Sequence, residues 1–109
     1  MSDRNAFTAI ADPTRRRVLD LLRVRGELCA GGIAAEFEGA ARPGISRHLR
    51  ILRECGVVAC RTEGKTRRYR LDPKPLAELH QGWLAEFASA HTMRLQNLRE
   101  RVERRTDAQ

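Results

Sequence analysis

Apolar residues recur every three or four positions through much of the first half of the chain, a period that predicts amphipathic helices. Between Pro43 and Gly56 the pattern is clearest. Ile45, Leu49 and Leu52 lie at i, i+4 and i+7 and share one helical face. Ser46, Arg47, Arg50 and Arg53 fall on the opposite half. Pro43 suits the first helical turn, where a missing N–H costs nothing, and Gly56 suits the position just past the end. A helix this short is not stable alone. Its apolar face must rest on a scaffold while serine and arginines face outward. Such a helix fits the DNA major groove, with guanidinium forks for base edges and phosphates and a hydroxyl for the backbone. A solvated basic face is the simpler alternative, and the flanking sequence decides between them.

Upstream, a short helix is expected around Phe7, Ile10 and Ala11. Asp12 and Pro13 then read as the cap and first residue of a helix over about 13–24 that buries Val18, Leu19, Leu21 and Leu22. Arg15, Arg16 and Arg17 sit in its first turns, where positive charge opposes the helix dipole. They read either as a solvated cluster or as neighbours of a phosphate. Gly26 ends this helix, and Glu27-Leu28-Cys29 is a connector or a single strand. A helix over 30–37 carries Ile33, Ala34 and Phe37 inward, and a turn over 38–42 leads to the basic helix. Two short helices joined by a tight turn, the second basic, make a helix-turn-helix.

After Gly56 the period changes to two. Residues 57–62 and 66–71 predict two strands around a turn containing Gly64, with Lys65, Arg67, Arg68 and Arg70 at the tip and on the second strand. A hairpin directly after a recognition helix is a wing, placed for the sugar-phosphate backbone or a minor groove. Pro75 opens the longest helix, whose stripe is His80, Leu84, Phe87, His91, Leu95, Leu98 and Val102. Leu76, Leu79 and Trp83 form an adjoining face. One face is expected to serve the domain and the other a second copy of the chain. The expected fold is therefore mainly α with a small β-hairpin wing: a winged helix-turn-helix over residues 1–103 that dimerises through its terminal helices. Residues 75–103 are the dimerisation helix and 104–109 a frayed tail.

With 109 residues the chain is one domain or one domain plus an arm, and its net charge of +7 points to a polyanionic partner. No apolar run is long enough to span a membrane, and Met1 to Ala6 lacks a signal-peptide core, so the cytoplasm is expected. The three cysteines should then be reduced thiols. There is no glycine-rich phosphate loop and no nucleophile–base motif, so neither an enzyme nor a cofactor is expected. A winged helix used for protein or RNA contacts is the rival reading, and it predicts a neutral or apolar recognition face.

Three segments together carry a family resemblance. Ala11-Asp12-Pro13-Thr14-Arg15-Arg16 leads into Val18-Leu19-Asp20-Leu21-Leu22. Ile45-Ser46-Arg47-His48-Leu49-Arg50-Ile51-Leu52-Arg53-Glu54-Cys55-Gly56-Val57-Val58 follows, then Glu63-Gly64-Lys65 through Tyr69-Arg70-Leu71. In that order, over roughly residues 5–100, they resemble the ArsR/SmtB family of bacterial repressors. The resemblance implies a homodimer that binds double-stranded operator DNA and blocks transcription, often of its own gene. It implies Ser46, Arg47 and His48 as the main recognition-helix contacts, with Lys65, Arg67 and Arg68 of the wing beside them; Arg50, on the outward basic face, is a further candidate contact. By helical angle His48 flanks the apolar face, so it either contacts a phosphate or packs at the core edge and orients the helix.

Many proteins of that family release DNA on binding a metal or metalloid. Glu27-Leu28-Cys29 matches the start of the arsenic-type cysteine motif, but Gly31 and Ala34 stand at its other cysteine positions. Glu78, His80 and His91 match three positions of the zinc-type motif, and Arg94 occupies the fourth. Eleven residues of helix span about 16 Å, so those histidines could share an ion only across a dimer. Cys29, Cys55 and Cys60 are the candidates for a thiol switch; otherwise they pack as small hydrophobes. No metal is assigned, and a metal-, metalloid- or thiol-responsive repressor of the same fold is the alternative function.

Overall fold

The computed structural model describes residues 4–107, with the side chains of 40, 41 and 103–107 excepted. The chain divides into two compact units, Met1–Ala77 and Glu78–Gln109.

The first unit begins with α1 (Ala6–Ile10) and α2 (Pro13–Arg25). Asn5 caps α1 through Oδ1, which accepts the Thr8 N–H at 3.1 Å. Asp12 caps α2, accepting the Arg15 N–H at 3.0 Å, and Pro13 takes the first position. Gly26 stops α2 at φ 88°, a conformation that favours glycine, and its N–H reaches Leu22 O at 2.8 Å. Burial opposes ionisation of Asp12, but the Arg15 N–H and the charges of His48 and Arg15 outweigh it and hold the carboxyl below its ordinary value of 3.8. The charged cap is thus complete at neutral pH and is lost only as pH falls through that lowered value. Asp12→Ala should cost about 0.5–2 kcal/mol at pH 7. Urea titrations at pH 7 and near pH 3 check this, since the difference between variant and parent should shrink in acid.

β1 (Glu27–Cys29) is a true strand and lies on one edge of a three-stranded antiparallel sheet ordered β1-β3-β2. It leads into α3 (Ala30–Ala34), whose cap is Cys29: Sγ accepts the Gly32 N–H at 3.3 Å. The helix expected over 30–37 therefore stops three residues early. Glu36 and Phe37 bond back to Ile33 O and Ala34 O, three residues away, so the last turn tightens out of α geometry. Phe37 is nonetheless buried.

A 3₁₀ segment, Gly39–Gly44, carries Pro43. The basic helix α4 (Ile45–Glu54) starts after it, so Pro43 precedes the helix instead of opening it. Ile45, Leu49 and Leu52 are buried, and so is Ile51. Gly56 at φ 78° ends α4: its N–H meets Arg53 O at 3.0 Å and the Val57 N–H meets Leu52 O at 3.2 Å, a Schellman ending.

β2 (Val58–Glu63) and β3 (Thr66–Leu71) pair from Glu63↔Thr66 to Val58↔Leu71. Only Gly64 and Lys65 form the turn, with Gly64 at φ 63° in the first central position, as a II′ hairpin requires. Val18, Leu22, Ile33, Leu49, Leu52 and Val57 are the largest fully buried side chains of the core, and Tyr69 joins them from β3.

The chain then enters α5 (Lys74–Leu79), a π turn at His80–Leu84, and α6 (Ala85–Asp107). The helix runs past Arg104, where a frayed tail was expected; Ala108 and Gln109 lie outside the described residues. The π turn is unannounced in the sequence. Its i→i+5 bonding takes one residue more than an α turn, so residues before it rotate by about 100° against those after it. His80 therefore leaves the stripe that continuous α geometry gives it with His91. Phe87, Leu95, Leu98 and Val102 remain together on α6, each more than half exposed. Trp83 and Phe87 stack edge to face at 4.6 Å.

Candidate nucleic-acid interface

The amphipathic division of α4 creates the site. Its buried row roots the helix, and Ser46, Arg47, Arg50 and Arg53 are left exposed on the other side. The strand period places the second wall. Tyr69 points into the core, so Arg67, two residues before it, projects from the same face of the sheet. A cleft of about 330 Å³ lies between helix and hairpin, lined by Ser46, Leu49, Arg50, Arg53, Arg67 and Tyr69. Among the described residues, Arg47, Arg50, Arg53, Lys65 and Arg67 form no ion pair. Their charge is left for an outside anion.

Other arginines are engaged. Arg4 pairs with Glu54 at 3.1 Å and Arg25 with Glu36 at 3.2 Å. Arg68, placed by the sequence beside Arg67, projects from the opposite face because neighbouring strand residues alternate. There its Nε donates to Glu27 Oε1 at 2.9 Å. Arg61 donates to the same oxygen from Nη2 at 2.8 Å. The Arg61 hydrogen bond, with that of Arg68, overcomes desolvation and holds Glu27 below the usual carboxylate range.

Of the first-turn cluster, Arg15 is half-buried and Arg16 and Arg17 are exposed, and none of the three lines the cleft. Arg15 donates to Thr8 O at 2.8 Å and Ala9 O at 3.3 Å, and Arg16 to Ile10 O at 2.7 Å. They satisfy the C-terminal carbonyls of α1, where the dipole welcomes positive charge. Arg17 covers the Phe37 ring at 4.5 Å. Arg15 also reaches His48, with Nη1 3.4 Å from Nδ1. Nε2 faces Asp12 Oδ2 at 3.9 Å. The His48 side chain, 20% exposed, is thus wedged between α2 and the start of α4, apart from the exposed arginine row.

Arg53 is a cleft residue absent from the contacts expected of the sequence, although Ser46, Arg50 and Arg53 lie at i, i+4 and i+7 and so share a face. The cysteines are all free. Burial pushes the Cys55 thiol above its ordinary value, which opposes reactivity. Cys29 accepts a backbone N–H as a cap, and Cys60 is half-buried opposite Tyr69. Among the described residues no three His, Cys, Asp or Glu side chains gather as metal ligands. Glu78, His80 and His91 are exposed and distributed over α5, the π turn and α6.

Comparison with known proteins bears on the family and the fold. The model of the arsR family of bacterial regulatory proteins matches residues 12–59, from the cap of α2 into β2. The transcriptional repressor SdpR of Bacillus subtilis (strain 168) is 40% identical over 83 residues, covering 76% of this chain and 89% of SdpR. A crystal structure of a possible transcriptional regulator for arsenical resistance is 46% identical, with TM-score 0.60 over 74% of this chain and 78% of that one. An ArsR-like transcriptional regulator from Rhodococcus sp. RHA1 superposes with TM-score 0.67 at 28% identity, over 89% of this chain and 86% of that one. With its helix-turn-helix, its wing and these relatives, the chain belongs to the arsR family of bacterial regulatory proteins.

Proposed function

We propose that this regulator is a cytoplasmic repressor that binds its operator as a homodimer, with α4 in the major groove and the hairpin tip on the backbone or in the minor groove. The observation that carries the reading is the cleft wall of unpaired guanidinium groups. Arg50, Arg53 and Arg67 converge there, while Arg4, Arg25, Arg61 and Arg68 are paired with carboxylates and Arg15 and Arg16 with backbone carbonyls. Arg47 and Arg50 are assigned to base edges and Ser46 to the backbone near the helix start. Arg53, Lys65 and Arg67 take phosphates. His48 orients α4 through Arg15 and Asp12. Arg68 stays with Glu27 and helps to join β1 to the wing. The exposed Phe87, Leu95, Leu98 and Val102 stripe supports pairing of two copies.

Fluorescence anisotropy tests this reading, comparing the upstream region of the gene with a scrambled duplex at about 0.15 M salt. Operator preference should be on the order of 10³-fold or more. Arg47→Ala should lower that preference by about 1–3 kcal/mol. Arg67→Ala should weaken both duplexes alike and reduce the salt slope by about 0.9. Equal weak binding of the parent to both duplexes would refute the assignment of this region as its operator.

A further inference from the structure

We propose that Glu27 sets the specificity of DNA binding by holding Arg61 and Arg68 out of non-specific phosphate contacts. The proposal rests on the DNA-binding reading above and adds to it a residue that touches no DNA.

The hairpin carries cations on both faces. On the face shared with Tyr69, Arg67 forms no ion pair among the described residues and lines the cleft with α4. On the other face Arg61 and Arg68 are direct cross-strand partners. Like charges in that position repel each other. Glu27, from the neighbouring strand β1, resolves the conflict with a single oxygen. Oε1 lies 2.9 Å from Arg61 Nε, 2.8 Å from Arg61 Nη2 and 2.9 Å from Arg68 Nε. Glu63 approaches the same two arginines at 3.5 and 3.8 Å. The four side chains sum to zero charge. Arg70 shares this face at the end away from the tip, directly across from Glu27 in the sheet, and among the described residues it forms no ion pair.

The consequence is a hairpin whose outer face is neutral toward the tip, with Arg70 as the cation left at its far end. A wing that is cationic all round draws counterion-release free energy from any duplex in any orientation. Neutralising Arg61 and Arg68 removes most of that contribution from the outer face and favours the cleft face, where phosphates are met when α4 lies in the groove. What a regulator needs is the ratio of specific to non-specific affinity, not either one alone. Glu27 acts on the denominator.

Glu27→Gln keeps the shape of the side chain and leaves Arg61 and Arg68 with Glu63 as their one carboxylate partner, so the cluster carries a charge of +1. For the scrambled duplex, the slope of log K against log salt should steepen by about 0.9 for each further phosphate that an arginine neutralises. At about 0.15 M salt that corresponds to affinity higher by about fivefold for the one phosphate that the net charge of +1 can neutralise, with operator affinity unchanged. Glu27→Asp, which retains the charge, should stay close to the parent. The triple variant E27Q/R61Q/R68Q should return the slope to the parental value. Arg61→Gln alone, with Glu27 intact, should leave both affinities and the slope unchanged, and this arm holds even if E27Q fails to fold. A folded E27Q with an unaltered slope, or with both duplexes weakened together, would overturn the proposal. So would a slope reduced by about 0.9 in Arg61→Gln. Failure of the unmutated chain to bind either duplex would instead overturn the DNA-binding reading.

Discussion

Leu52→Ala is expected to lower the unfolding free energy by about 2–5 kcal/mol, the range for removing a buried leucine side chain. Leu52 is fully buried and stands in the row of α4 that includes Ile45 and Leu49. Its carbonyl also closes the Schellman ending at Val57, so the helix terminus and the core meet at this residue. A unit of this size has a total stability of roughly 4–12 kcal/mol, so the loss is a large part of the whole. The apolar and basic rows of α4 are separate, which gives the variant a signature. Urea titration followed by circular dichroism should show a lower midpoint with little change in slope. Well below its melting temperature, the folded fraction should bind operator with parental affinity. A loss under about 1 kcal/mol would mean that α4 is not anchored through this row.

That separation of rows is also why so much of α4 is readable from sequence. A helix with Ile45, Leu49 and Leu52 on one side and Ser46, Arg47, Arg50 and Arg53 on the other has one stable way to lie. Local signals fix its neighbours. Asp12-Pro13 starts α2, Gly26 and Gly56 end α2 and α4, and Gly64 turns the hairpin, each because one residue type suits one local geometry. The features that escaped depend on distant partners. Arg15 and Arg16 look like a misplaced charge cluster until α1 folds back and offers its carbonyls. Ile51 falls outside the ideal stripe yet is buried. The opposite fates of Arg67 and Arg68 were within reach, since the two-residue period with Tyr69 inward separates them. The partner of Arg68 was not, because Glu27 lies 41 residues away. The π turn at His80–Leu84 has no residue signature, and it undoes the alignment of His80 with His91 that a continuous α-helix gives.

Leu98→Glu is expected to convert a dimer into a monomer and to weaken operator binding by about 10²–10⁴-fold, the loss that follows when two linked sites become separate. Phe87, Leu95, Leu98 and Val102 fall within a sector of about 80° on α6 at 100° per residue. They are 57%, 54%, 58% and 57% exposed in the single chain. Burying each against a second copy contributes roughly 1.5–3 kcal/mol. A carboxylate in the middle of that stripe must be desolvated without a partner, which reverses the sign of the contribution. In the single chain the same carboxylate meets water, so the fold should withstand the change. Sedimentation equilibrium of parent and variant reads the association directly, and anisotropy against operator and isolated half-site duplexes reads its consequence. The parent should prefer the full operator strongly, and the variant should bind both duplexes with similar, weak affinity. If Leu98→Glu stays dimeric, the copies pair through another surface. If it becomes monomeric with undiminished operator affinity, one α4 and one wing suffice for recognition, and the dimer serves some other end.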